Sequence, residues 1–160
     1  MKSILKGKKG FTLIEILIVI AIIATLAVLV FASLNPAQRL KDARDSKRVF
    51  ATSSILTAIH AYIIDNGGSL PSGLSVGMSE AQLGTAGSGC GISSGGCSVS
   101  TAACLDLSTT LARYLKTIPI DPDGTASASK TEYAVGVDTN GIVTVKACGT
   151  EGSTNISASQ

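Results

Sequence analysis

Residues 16–34 carry no charge, and Thr25 and Ser33 are the polar interruptions. Counted from Phe11 to Leu34, the apolar run would make a helix of about 36 Å at ~1.5 Å per residue. A bilayer core is ~30 Å thick, so the run can span it with some tilt. A secretory signal usually has a shorter apolar region with small residues at its cut. Ala24 and Ala27 imitate such a site, but a cut there would fall inside the run. The pattern therefore predicts a membrane-spanning helix.

Beyond it the pattern changes. Pro36 follows Asn35 and predicts a kink, because proline removes a helix hydrogen bond. The stretch QRLKDARDSKR (38–48) alternates charge signs, with Lys41/Asp45 and Asp45/Arg48 at helical spacing. Its expected character is a solvated helix face, with anionic lipid headgroups or nucleic acid as the sharper alternative. Ile55, Ile59 and Tyr62, with Leu56 and Ile63, then form an amphipathic stripe that would seat the helix on a globular head. His60 lies beside this stripe as a helix-surface residue. Asn66-Gly67-Gly68 is a helix stop.

Residues 67–103 hold ten glycines among many Ser and Thr, and predict loop. Leu105, Leu107, Leu111, Tyr114 and Leu115 predict a short helix ending near Pro119, followed by the turn IPIDPDG. TEYAVGV and IVTVKAC flank DTNG, with Tyr133, Val135 and Val137 alternating. Asn140-Gly141 is a two-residue hairpin signal. The fold class expected is α+β. A long transmembrane-plus-amphipathic helix would pack on a small head holding a short helix and an antiparallel hairpin or small sheet. The expected divisions are a leader at 1–10, a transmembrane segment at 11–35, an amphipathic helix at 36–66 and a head at 67–160.

Composition sharpens this picture at two points. Net charge is +2, but Lys2, Lys6, Lys8 and Lys9 all precede Phe11. Without residues 1–10 the chain would hold 9 basic against 11 acidic residues, so its basicity is weak support for a nucleic-acid surface. Cys90, Cys97, Cys104 and Cys148 all follow the apolar run. An even number in a Gly-rich region indicates two disulfides and an oxidising compartment. Zinc is the rival, but its usual close pairs are missing from these spacings. Of the three pairings four cysteines allow, Cys90–Cys97 with Cys104–Cys148 is expected, joining the C-terminal strand to the far end of the loop. Basic residues flank the apolar run almost evenly, four lysines before it and Arg39, Lys41, Arg44, Lys47 and Arg48 after it, so the positive-inside rule does not orient it. The cysteines do, placing the C-terminal part outside.

Glu15 stands near the start of the apolar run. Thr12-Leu13-Ile14-Glu15 fits a capping box, with Thr12 at the N-cap and Glu15 at N3. The second reading is that Glu15 needs a cation from another chain, since an acid in apolar surroundings costs several kcal/mol unless paired. The residues alone leave both readings open.

Lys9-Gly10-Phe11-Thr12-Leu13-Ile14-Glu15, followed by a long apolar helix, resembles the N-terminus of type IV prepilins and type II secretion pseudopilins. The resemblance implies cleavage after Gly10 by a membrane-embedded prepilin peptidase and N-methylation of Phe11. It also implies that Glu15 pairs with the N-terminal amine of a neighbouring subunit during filament assembly. The implied partners are copies of the chain and other pilins in a helical filament, the peptidase, an inner-membrane assembly platform, and the lipid bilayer before assembly. The implied location is the cytoplasmic membrane, as a single-span precursor with a cytoplasmic N-terminus, then a filament at the cell surface. Pilins commonly place a proline earlier in the membrane segment than Pro36. AIHAYIIDNGGSLP is similar to a segment of major pseudopilins and related pilins. YLKTIPIDPDG (114–124) resembles a major-pseudopilin run, in a family that has a calcium site in a nearby loop. Asp121, Asp123 and Asp138 are the candidate calcium ligands, although no EF-hand pattern is present and turn-forming Asp is the plainer reading. Asn155-Ile156-Ser157 is a weak modification sequon.

No catalytic constellation or phosphate loop is present, so an enzyme is not expected, and no cofactor beyond that calcium. Three functions remain: a type IV pilus subunit, a secretion pseudopilin, and a single-span protein with a small binding head. The pilus subunit leads, and nucleic acid is an unsupported partner.

Overall fold

A computed structural model of the chain describes residues 10–152 and 155–160. The lysine-rich leader, apart from Gly10, lies outside the described residues.

Two units make up the chain, 1–39 and 40–160. The first contains α1 (Leu13–Ser33), 21 residues whose side chains are all exposed. At ~1.5 Å per residue it measures about 32 Å, close to a bilayer core. The predicted long helix is divided: α2 (Pro36–Asp65) begins after two intervening residues, Leu34 and Asn35. Asn35 adopts φ 42, and Pro36 takes the first helical position, where its missing N–H costs nothing. Proline here starts a helix instead of kinking one.

In the second unit α2 ends where the glycines predict. Gly67 has φ 63, and the Gly68 N–H donates to the Ile63 carbonyl at 2.8 Å, which closes the last turn. Four antiparallel strands follow in the order β1-β2-β3-β4: β1 (Ala81–Gln82), β2 (Tyr133–Val137), β3 (Val143–Ala147) and β4 (Ile156–Ser159). Register sets Tyr133 opposite Ala147, Val135 opposite Val145 and Val137 opposite Val143. All six are buried, and period-2 alternation points them to one face. That face packs with Ile55, Leu56 and Ile59 of α2 and with Leu83, Leu107 and Leu111. Each such Val, Leu or Ile side chain contributes about 1.5–3 kcal/mol of transfer free energy.

Several expectations change. The β2–β3 loop spans three residues, 139–141, because Asp138 N–H bonds the Ile142 carbonyl. The Asp138 carboxylate accepts from the Asn140 and Ile142 N–H groups at 2.8 Å each, and Gly141 (φ 86) supplies the left-handed residue. The short helix expected near Leu107–Leu115 is a run of turns across 108–114. Leu111 and Leu115 N–H groups reach back to Leu107 and Leu111, so isolated helical turns anchor the leucines without propagating. Strands β1 and β4 were missed. Two residues give β1 no pattern, whereas Ile156-Ser157-Ala158-Ser159 alternates and could have been read.

The disulfides are Cys90–Cys104 and Cys97–Cys148, correcting the expected pairing. Within the Gly-rich loop Ile92 pairs with Val99, folding the chain back and carrying Cys97 to the second sheet face. There Cys97, Val99, Ala134 and Cys148 cluster. The loop tip fits closely: a Cβ on Gly95 would lie 2.5 Å from the Cys148 carbonyl oxygen. Cys90 and Cys104 are brought together by Cys90 N–H to Ala102 and Cys104 N–H to Ala86. Loop-closure entropy assigns about 3 kcal/mol to a 14-residue closure and about 4 to one of 51. Replacing Cys97 and Cys148 with Ser should therefore lower the head's unfolding temperature more than replacing Cys90 and Cys104, as measured by thermal unfolding followed by circular dichroism.

Candidate functional site

Two places in the chain hold charge where apolar surroundings make it costly. The first is the start of α1. Thr12 takes an extended conformation (φ −79, ψ 152). The Glu15 N–H donates to Thr12 Oγ1 at 3.2 Å. In return Glu15 Oε2 accepts from the Thr12 N–H at 2.7 Å and from its hydroxyl at 3.0 Å. The capping box is thus formed, and no cation pairs with Glu15 among the described residues. Gly10 and Phe11 precede it in the open, Phe11 with 83% of its surface exposed.

The second place is the N-terminal half of α2, where the predicted solvated face forms at 38–43 and 46–47 but Arg44 and Asp45 are half-buried. Arg48 is fully buried. Its Nε and Nη2 donate to the two oxygens of Asp121 at 2.7 and 2.6 Å. Nη1 donates to Asp45 at 2.8 Å and Glu151 at 3.2 Å. Arg44 holds the same Glu151, through Nη2 at 2.5 Å and through a second contact from Nε. Asp45 accepts from the Glu151 and Gly152 N–H groups at 3.2 and 2.9 Å. Three remote segments meet: α2, the Asp121 turn and the chain after β3. A charged residue seven before Ile55 falls on the buried stripe, a signal that could have revealed Arg48. His60, expected at the surface, is half-buried, and its Nε2 has no hydrogen-bond partner among the described residues.

Each carboxyl responds to its neighbours. Arg44's hydrogen bonds, with those of Arg48, hold Glu151 down at about 2. Burial alone would raise Asp45, but Arg48 and two backbone N–H groups outweigh it and leave it low. Glu132 goes the other way, pushed up by burial and by the Asp123 and Asp121 charges.

The candidate calcium trio does not assemble. Asp121, Asp123 and Glu132 bring oxygens within 4.8 Å of one another, whereas Asp138 caps the β2–β3 turn. Both Asp121 oxygens already accept from Arg48, and Thr125 Oγ1 bridges Asp123 and Glu132 at 2.8 and 2.9 Å. Calcium takes 6–8 oxygens, and this set, with both Asp121 oxygens taken by a guanidinium, does not fit it. Arg44 and Arg48 are likewise withdrawn from the basic run proposed for lipid or nucleic acid.

The architecture defines an α+β head preceded by an apolar helix long enough to cross a membrane, with an N-terminal carboxylate cap. Residues 5–31 match the family model of the prokaryotic N-terminal methylation motif, the signature of type IV prepilins and pseudopilins. That class is structural, and the motif implies processing by prepilin peptidase and assembly with other pilins. No curated protein and no solved structure matches the chain.

Arg48→Met should destabilise the head by about 3–5 kcal/mol, because it strands a buried Asp121 carboxylate; denaturant unfolding of the full chain in bilayer discs measures this. The pH dependence has two signs. Glu132, raised, favours the fold most below its unfolded value near 4.5 and loses that contribution as pH rises, so Glu132→Gln should raise Tm more at pH 7 than at pH 4. Glu151, lowered, contributes above 4.5 and loses its contribution as pH falls toward about 2, so Glu151→Gln should lower Tm at pH 7 and lose its effect near pH 2.

Proposed function

We propose that this chain is a structural subunit of a type IV pilus, cleaved after Gly10, methylated at Phe11 and assembled through α1. The observation that carries this reading is the methylation motif placed on a helix whose apolar side chains are all exposed. Such a helix has two stable settings, lipid or a bundle of identical helices. The leader's lysines favour the first, by anchoring the uncleaved N-terminus on the cytoplasmic side. Cleavage creates an amine at Phe11, a few residues from Glu15. In a low-dielectric bundle the amine of one copy satisfies the carboxylate of the next, fixing axial register more than adding net stability. The capping box holds Glu15 until that partner arrives. The mature subunit then sits in a filament outside the cell, where the two disulfides suit an oxidising exterior.

A second reading, a type II secretion pseudopilin, is favoured by YLKTIPIDPDG, whose Asp121 anchors Arg48. The two readings share the N-terminal chemistry and differ in where the filament ends.

Intact mass and N-terminal sequencing of the protein from sheared filaments and from membranes should show chains beginning at Phe11 with one added methyl group. A chain that keeps Met1, or is cut within the apolar run, would remove the filament reading. Abundance in the sheared fraction would select the pilus. Glu15→Leu should still be cleaved yet leave the sheared fraction at least about tenfold poorer in subunit, a loss equivalent to ~1.4 kcal/mol.

A further inference from the structure

In the head, beside the charged centre, whose Asp121 and Glu132 directly follow the lining residues Ile120 and Thr131, the segments 106–108 and 116–120 face 84–85 and 128–131 across a cavity of about 300 Å³. It is more enclosed than the grooves along β2–β3 or along α2. Leu107, fully buried, lies at its floor, and Ile118 and Ala128 line it. Ile120 is 44% exposed, an isoleucine at the cavity that the core does not cover. Gly84 lets the walls approach: a Cβ there would lie 2.1 Å from the Ser129 carbonyl oxygen.

Two charges border the cavity. Asp106 is engaged, accepting the Ser108 N–H at 2.8 Å, and Ser108 holds its carboxyl below the usual range. Lys116 is exposed and makes no ion pair among the described residues. The lining has no aromatic side chain on which a sugar or base could stack, and one lysine without a helix N-terminus is a poor phosphate site. What it offers is aliphatic surface, the hydroxyls of Thr85, Ser108, Thr117 and Thr131, and Lys116 as its lining cation, with the Asp106 carboxylate turned to Ser108. Pockets of this kind take an apolar body and fix it with few polar groups.

We propose that this cavity binds a small aliphatic carboxylate, its chain against Leu107, Ile118, Ile120 and Ala128 and its head on Lys116 Nζ. At the roughly 30 Å³ that a water molecule takes in the liquid, the volume holds about ten methylene-sized groups.

The test is a titration of the full chain in lipid bilayer discs with hexanoate, followed through isoleucine and valine methyl resonances. Hexanol and hexylamine serve as chain-matched controls. The expected result is a saturable shift at Ile118 and Ile120 with none at Val145. Lys116→Gln should weaken binding about fivefold, the upper weight of one exposed ion pair, and Ala128→Phe should abolish it by filling the cavity. The undisturbed Val145 resonance reports that each variant is folded. No saturable shift, binding of hexanol or hexylamine as tight as hexanoate, or an unchanged affinity in Lys116→Gln overturns the assignment.

Discussion

A guanidinium sealed from water has to be matched by anions, and the head is organised around meeting that demand at Arg48. Desolvating one such ion costs several kcal/mol even after relaxation. Asp121 answers with both oxygens, and Asp45 and Glu151 take the remaining donor. Apolar packing between α2 and the sheet is compatible with more than one docking depth, since sliding by a turn brings similar side chains into contact. A bidentate ion pair is far less tolerant of such a slide. Arg48 therefore fixes where α2 rests, and Asp45 extends that control to the backbone of Glu151 and Gly152.

The two charged places in the chain follow opposite designs. Around Arg48 every requirement is met within one molecule, and acids outnumber bases, with Glu132 the member held closest to neutrality. At Glu15 the requirement is met by two atoms of Thr12 and by no cation among the described residues. One centre closes the head on itself, and the other leaves the helix open to a further partner. Such a division of labour suits a subunit that must fold alone and then assemble.

How far the sequence foretold this depends on how local each cause is. The membrane helix, its capping box, the end of α2 at Gly67 and the β2–β3 hairpin rest on neighbouring residues, and all were legible. The break at Asn35 was half legible, because proline signals both a kink and a start. Arg48 was misread because sign alternation between neighbours resembles a solvated face, and only its phase with Ile55 and Ile59 discloses burial. The disulfide pairing was out of reach. It depends on the Ile92–Val99 fold-back inside a loop whose glycines permit many paths, and no local pattern selects that one.

The overlap of the two disulfides bears on mechanical load. Between Cys90 and Cys148 the chain runs through 58 residue steps, but seven steps to Cys97 and one bridge make the same connection. At ~3.5 Å per residue, the first path would extend to about 200 Å and the second, bridge included, to about 30 Å. Tension applied across this stretch would pass through Cys97–Cys148 and leave β2 and β3 unloaded. A head hauled by its outer loop would thus behave as a short tether, keeping its sheet while the strain runs past it.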